Sequence, residues 1–165
     1  MTLKRLLRHW FTAEGAVRAT FPPAVLAAIE RTIGEVEADH AGQIRFAVEA
    51  SLDTQAVFAG QSARDRALDV FSALRVWDTE HNNGVLIYLL LADRDVEIVA
   101  DRGIHRRVGG EGWEQICRAM EAEFRAGRFE AGSLAGIRAV GSHMARHYPR
   151  DGASVNELPD APVVI

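Results

Sequence analysis

Apolar residues first recur at helical spacing within residues 3–11, where basic residues lie between them. The segment LKRLLRHWF therefore predicts a short, basic, amphipathic helix. Such a helix can dock against the domain and close its core, or it can lie on a membrane surface. We favour docking, because about two and a half turns are short for a membrane anchor.

A longer helix and a strand follow. Pro22 and Pro23 suit the first turn of a helix whose apolar stripe extends to Val36. Residues 44–49 then alternate between apolar and charged side chains, which predicts a half-buried strand. We expect a polar loop after this strand.

A third helix is predicted to begin after Ser62. Asp65 completes a capping box with Ser62, and the apolar spacing continues to Val76. The next segment, GVLIYLLLA at residues 84–92, is apolar on both alternating faces, as expected for a strand covered by helices on both sides. It is predicted to be the central strand.

A two-residue turn at Asp93-Arg94 is predicted to join the central strand to VEIVAD in an antiparallel hairpin. Counting outwards from this turn sets Leu86 opposite Asp101. The strand–helix–strand unit before the hairpin implies a parallel pair with a right-handed crossover. With a turn region at residues 106–112 and two further helices, the pattern predicts an α/β fold, a three-layer α/β/α sandwich with a small mixed sheet.

The same pattern divides the chain into three parts. We expect an N-terminal amphipathic helix and linker at residues 1–22, one α/β/α domain at residues 23–148, and an irregular tail at residues 149–165. The tail can serve as a docking peptide or as a strand added to the edge of the sheet.

Composition narrows the class of protein. With 48% hydrophobic and 25% charged residues, the chain has the make-up of an ordinary globular domain. Its net charge of -4 argues against binding of nucleic acid, which needs a surplus of basic side chains. Cys117 is the only cysteine, and no apolar run is long enough for a transmembrane segment. We therefore expect a cytoplasmic protein.

Polar residues collect at two opposite ends of the predicted sheet. At the hairpin turn, Asp93-Arg94 is good turn chemistry that requires no ligand. We place the candidate site at the other end, where the parallel strands begin and the hairpin finishes. Its polar residues are His40, Gln43, His81, Asn82, Asn83, Asp101, Arg102 and His105.

The side chains at this end suit a hard cation. Asn82, Asn83 and Asp101 offer oxygen ligands of the kind that calcium and magnesium prefer, and Arg102 suits a phosphate or a carboxylate. However, Asn-Asn-Gly is also an ordinary turn sequence, and Asp101 with Arg102 can be a plain surface pair. The residues alone therefore leave a solvated rim as the alternative.

Three segments of the chain resemble the TPM domain family, also called TPM phosphatase: NNGVLIYLLLADRDVEIVADRG, GWEQI and FRAGRFEAG. The family includes plant thylakoid proteins of photosystem II repair and bacterial membrane-linked relatives, and this chain resembles a soluble, stand-alone bacterial branch. The resemblance covers residues 23–148 and implies an α/β/α sandwich with a polar site near Asn82, Asn83 and Arg102. Acid phosphatase activity and divalent-cation binding have been attributed to some members.

Two family aspartates are missing. Members often carry one before the first helix of the domain, where this chain has residues 20–23, and another after the hairpin, where it has residues 108–111. Glu111 would replace the second, and nothing replaces the first. The resemblance thus adds Glu111 to Asn82, Asn83 and Asp101 as an expected metal ligand.

We expect a binding module that uses this polar end, with a divalent cation, to engage a protein partner at or near the membrane. The chain would then be cytoplasmic and peripheral at the membrane. The alternative is a metal-assisted acid phosphatase acting on phosphate esters, with Asp101 and Arg102 as candidate catalytic residues. A third possibility is an interaction protein without a small ligand.

Overall fold

The computed structural model describes residues 3–12, 14–152 and 155–165. Within these residues the longer helices and strands follow one another in the order that the apolar pattern predicts. The helices are α1 (Leu3–Phe11), α2 (Glu14–Thr20), α3 (Pro23–Glu37), α4 (Thr54–Ala59), α5 (Ala63–Ala73), α6 (Arg102–Val108), α7 (Gly110–Arg125) and α8 (Phe129–His147). The strands are β1 (Gln43–Glu49), β2 (Gly84–Leu90), β3 (Asp95–Ala100) and β4 (Val163–Val164).

The strands form one mixed sheet in the order β3-β2-β1-β4. β1 and β2 are parallel, with Gln43 opposite Gly84, and β3 pairs with β2 in the antiparallel sense. This arrangement confirms the predicted parallel pair and hairpin. Because β1 and β2 begin side by side, the loops that precede them meet at one end of the sheet, together with the end of β3.

The predicted hairpin register is wrong by two residues. Leu90 lies opposite Asp95, and Leu86 lies opposite Val99 instead of Asp101. Residues 91–94 form a four-residue connection in which Arg94 adopts a positive φ of 53°. Because side chains alternate with a period of two, a shift of two residues leaves every side chain on its predicted face.

β2 separates two apolar layers, and all seven of its residues are buried. The side chains on one face of β2 pack in the core with α3, α7 and α8: Val85, Ile87 and Leu89. Those on the other face pack in the core with α4 and α5: Leu86, Tyr88 and Leu90. Full burial of each large side chain contributes about 2 kcal/mol. The predicted α/β/α sandwich is therefore confirmed, with β2 as its central strand.

The linker expected within residues 1–22 contains the helix α2. Two further segments predicted to lack regular structure contain helices. Part of the polar loop after β1 forms α4, which Asp53 caps by accepting a hydrogen bond from Ala56 N at 2.8 Å. The turn region after the hairpin overlaps α6, in which only Ile104 is buried. Both helices are short and mostly exposed, so they carry little of the apolar periodicity that predicts longer helices.

Residues 155–165, here called the C-terminal strap, lie along the free edge of β1. Gln43 Oε1 accepts hydrogen bonds from the backbone N–H groups of Glu157 and Leu158, both at 2.9 Å. The buried Arg45 donates to the carbonyl of Pro159, and β4 pairs with β1 in parallel. An added edge strand is thus one of the two roles expected for the tail.

No helix among the described residues combines the length and the apolar character needed to cross a bilayer.

Candidate functional site

The loop before β2 and the end of β3 form the centre of the predicted polar end. Asp101 N donates to Gly84 O at 2.9 Å, and Ile104 N donates to Asn82 O at 3.3 Å. The loop before β1 joins from the other side, since Gln43 N donates to Asn83 O at 3.3 Å. The structure therefore brings Asn82, Asn83 and Asp101 to one end of the sheet.

Two glycines permit this close approach. A Cβ on Gly84 would collide with the carbonyl of Val76, and a Cβ on Gly103 would collide with the carbonyl of Asn82. The Gly103 position is further closed by the Tyr148 hydroxyl, which would lie 2.8 Å from such a Cβ. The glycines of Asn-Asn-Gly and Asp-Arg-Gly are therefore required by packing of the backbone at this end.

Asn83 is fully buried, and only part of its side chain is paired. Its Nδ2 donates to Ala41 O at 3.1 Å, and its backbone N–H donates to Thr79 Oγ1 at 3.1 Å. Its Oδ1 is buried without a hydrogen-bond partner among the described residues. A buried carbonyl oxygen with no donor costs on the order of 1–3 kcal/mol, so Asn83 carries one unsatisfied acceptor.

Asp101 has the same property. It is the N-cap of α6, and its Oδ1 accepts a hydrogen bond from Arg102 N at 2.6 Å. Its Oδ2 is buried, again with no partner in the part of the chain that the structure describes. One carboxylate oxygen therefore holds the helix, and the second remains an unused acceptor.

His40 adds a buried nitrogen that the predicted ligand set leaves out. Its Nδ1 lies 3.1 Å from Gly42 O, and only a protonated Nδ1 can donate to that carbonyl. Nε2 then carries a lone pair, and it has no partner among the described residues. Burial lowers the pKa of His40 to about 4, so the ring is neutral at neutral pH. His40 follows the end of α3, where the helix dipole favours a basic side chain, so its position in the sequence gives no signal of a ligand.

The remaining predicted residues are arranged less closely. Asn82 adopts a positive φ of 50°, and Arg102 is exposed, with no side-chain hydrogen bond or ion pair to the described residues. Glu111 is exposed in the first turn of α7, beyond the far end of α6 from Asp101. Seven helical residues span roughly 10 Å, so Glu111 is not brought to Asp101.

A cleft of about 410 Å³ opens beside this end of the sheet. Ala41 lines this cleft, and its carbonyl oxygen accepts the hydrogen bond from Asn83 Nδ2. The other lining residues are Glu80, His81, Asp151, Gly152, Val155 and Glu157. Three of these carry carboxylates, which favours a cation over an anion. Nevertheless, the described residues contain no group of three or more His, Cys, Asp or Glu side chains arranged around one metal position.

The opposite end of the sheet is closed by α1. Asp93 in the hairpin loop accepts hydrogen bonds from Arg5 Nε at 2.9 Å and Arg8 at 2.8 Å, and it lies 3.3 Å from His9 Nε2. The basic helix is therefore docked, as we expected, but its apolar residues other than Leu6 are exposed and do not close the core. Its contacts occupy the carboxylate that would otherwise be the main polar group at this end.

A family model described as the TPM domain matches residues 18–143 of the chain. Among solved structures, the NMR structure of the BA42 protein from the psychrophilic bacterium Bizionia argentinensis is similar over 86% of this chain and 92% of its own, with 30% identity and a TM-score of 0.75. The N-terminal domain of a P. gingivalis protein shares the fold, with 19% identity, a TM-score of 0.63, and coverage of 79% of this chain and 82% of its own. No curated protein matches the chain. By the extent of these matches, the chain belongs to the TPM domain family.

Proposed function

We propose that the chain is a non-enzymatic binding module that holds a divalent cation, calcium or magnesium, at the end of the sheet that carries Asn83 and Asp101. The observation that carries the proposal is the pair of buried oxygen acceptors without donors, Asn83 Oδ1 and Asp101 Oδ2. Hard cations take carboxylate and amide oxygens and complete their coordination with water. Asn82 supplies a further amide at the same end, whereas Glu111 would reach the cation only if the start of α7 moved towards it.

The cation would serve to engage a protein partner at or near the membrane, with the chain peripheral to the bilayer on its cytoplasmic side. The acidic cleft beside Ala41 supports this role, because its carboxylates suit a basic segment or a cation shared with a partner. The exposed Arg102 offers a bidentate group for a carboxylate of the partner.

A thermal-unfolding series with calcium, magnesium and manganese tests the cation site. A ligand that binds only the folded state stabilises it by about 2.7 kcal/mol at a hundredfold excess over its dissociation constant. We expect the cation to raise the midpoint temperature of unfolding of the wild type. This increase should be lost in Asp101→Ser, because serine still caps α6 but provides no carboxylate.

Asp53→Ser is the matched control. Asp53 also caps a short helix through one carboxylate oxygen, but it lies at the opposite end of the sheet. The control should keep the full cation effect. A wild type that no cation stabilises, or an equal loss in both variants, would remove the proposed site and leave a solvated rim.

A metal-assisted acid phosphatase is the second candidate, favoured by the exposed Arg102 beside Asp101, since the Arg102 side chain has no partner among the described residues. In this function Asp101, Glu111 and Asn83 would hold the ion, and Arg102 would stabilise charge on the phosphoryl group. Hydrolysis of a generic phosphate ester should then disappear in both Asp101→Asn and Arg102→Ala. Activity that survives both changes comes from a contaminating enzyme and excludes this candidate.

A further inference from the structure

Helix α1 docks through Leu6 and part of its polar side, and it exposes most of its apolar residues. Leu6 and His9 are its buried residues, and Arg5 faces Asp93 beside them. The four other apolar side chains point into solvent: Leu3 is 70%, Leu7 39%, Trp10 58% and Phe11 82% exposed. A docking helix ordinarily buries its apolar face. The orientation of α1 therefore requires a different explanation from closure of the core.

The exposed apolar side chains form one continuous stripe. At 100° per residue, Leu3, Leu7, Trp10 and Phe11 fall within an arc of about 100°. Lys4 and Arg8 follow directly on one side of this stripe, and both are exposed. α1 contains no acidic residue. An apolar stripe with Trp and Phe, bordered by basic residues, is the arrangement of helices that lie in the headgroup region of a membrane.

Contacts within the protein already fix the position of α1 in the absence of a membrane. A free helix of nine residues is marginal in water, but α1 is fixed by ionic contacts to Asp93 and by a hydrogen bond from Trp10 Nε1 to Thr54 Oγ1 at 3.0 Å. Its apolar stripe is thus presented on an ordered helix, which reduces the entropy lost on binding.

We propose that the outer face of α1, formed by Leu3, Leu7, Trp10 and Phe11 with Lys4 and Arg8, binds the surface of a bilayer that contains anionic phospholipids. This inference deepens the proposed peripheral location and is independent of the cation site. An anionic surface complements Lys4 and Arg8. A second copy of the chain, pairing through the same patch, would bring these like charges together.

The proposal also sets the orientation of the molecule. α1 lies at the hairpin end of the sheet, whereas Asn83 and Asp101 lie at the other end. The seven residues of β2 between the two ends span roughly 23 Å. Binding through α1 therefore turns the polar end away from the bilayer, where a protein partner can reach it.

Vesicle flotation tests the proposal, in the presence of a chelator so that cations do not bridge protein and lipid. Wild type should bind vesicles of phosphatidylcholine with phosphatidylglycerol more than those of phosphatidylcholine alone. The double variant Leu3→Ser/Phe11→Ser should bind the anionic vesicles at least tenfold more weakly. Lys4→Glu should weaken binding to the anionic vesicles only.

Leu68→Ser/Trp77→Ser is the matched control, since both residues are exposed apolar side chains outside α1. It should bind as the wild type does, and circular dichroism should show every variant folded. Asp101→Ser should also bind normally, so that loss of the cation site and loss of membrane binding are separate results. Equal binding by Leu3→Ser/Phe11→Ser and wild type overturns the proposal. A wild type that ignores vesicles, and that sediments as a dimer which this variant dissociates, assigns the surface to a second copy.

Discussion

His9 Nε2 lies 3.3 Å from Asp93 Oδ2, and this contact joins helix α1 to the loop between β2 and β3. On its other side the ring accepts a hydrogen bond from Leu52 N to Nδ1 at 3.0 Å. Nε2 therefore carries the hydrogen in the neutral ring and donates it to Asp93. Burial lowers the pKa of His9 against the opposing effect of Asp93, so the ring acts as a neutral link.

Asp93→Asn should loosen α1. Asp93 faces Arg5, Arg8 and the neutral His9, and removal of its charge leaves the two arginines without their anion. Because Arg8 is largely exposed, we expect the free energy of local opening of α1 to fall by only about 1–2 kcal/mol. Amide hydrogen exchange over residues 3–11 measures this change. Asp69→Asn, at an exposed carboxylate bonded to Gln61, should leave that exchange unaltered. Unaltered exchange in Asp93→Asn would mean that other contacts hold the helix.

Gln43→Ala should release the C-terminal strap. The single atom Gln43 Oε1 accepts two backbone hydrogen bonds from the strap, and Gln43 itself is buried. Loss of this acceptor should lower the free energy of unfolding by about 1–3 kcal/mol and speed proteolysis within residues 155–165. Chemical denaturation and limited proteolysis report the two effects. Gln115→Ala on the exposed surface of α7 is the control, and similar behaviour of both variants would contradict the assigned role of Gln43.

Glu37→Gln should make the free energy of unfolding less sensitive to a rise in pH. Burial raises the pKa of Glu37 from 4.5 to about 8, while its Oε1 accepts a hydrogen bond from Ile44 N at 2.7 Å. Between these two pH values the folded state binds more protons than the unfolded state, so stability falls as pH rises, by at most about 1.4 kcal/mol per pH unit. Glutamine keeps the acceptor and cannot ionise. Denaturation curves from pH 5 to 9 should therefore show a flatter decline than those of wild type. Glu30→Gln, at an exposed position of α3, should decline as the wild type does.

His40 should make the free energy of unfolding fall as the pH becomes acidic. Its pKa falls from 6.5 to about 4 on folding, so the unfolded state binds the extra proton between these values. Stability from this group is therefore complete above pH 6.5 and is lost as pH falls towards 4. His40→Asn should reduce the loss of unfolding free energy over this range relative to wild type, and His81→Asn, an exposed control, should not. An equal acid slope for His40→Asn and wild type would show that the buried ring does not govern it.

The layers of the fold were predictable because they depend on side-chain periodicity. β2 is apolar on both faces and lies between two helical layers, so its sequence alone indicates its central position. The register of the hairpin was not predictable in the same way. Leu91 and Ala92 are apolar and buried, and therefore extended the predicted strand, although they belong to the connection to β3. Arg94 at positive φ gives no sequence signal of the kind that glycine would give.

The positions of the candidate site residues in the fold were predictable, but the pairing of their individual atoms was not. The topology places Asn82, Asn83 and Asp101 together because each lies beside the end of a strand. Which oxygen stays unpaired depends on long-range contacts, such as the bond from Asn83 to Ala41, that local patterns do not contain. The separation of Glu111 follows from α6, whose mostly polar sequence was interpreted in part as a turn.

The strap also affects the order in which the chain can complete its fold. Ile165 N donates to Val48 O at 2.9 Å, so the outer edge of β1 is paired by residues synthesised long after β1 itself. While a nascent chain is still attached to the ribosome, the backbone groups of this edge are open to strands of neighbouring nascent chains on the same messenger. The appearance of the strap outside the ribosome therefore sets the moment at which this edge becomes protected from such intermolecular pairing.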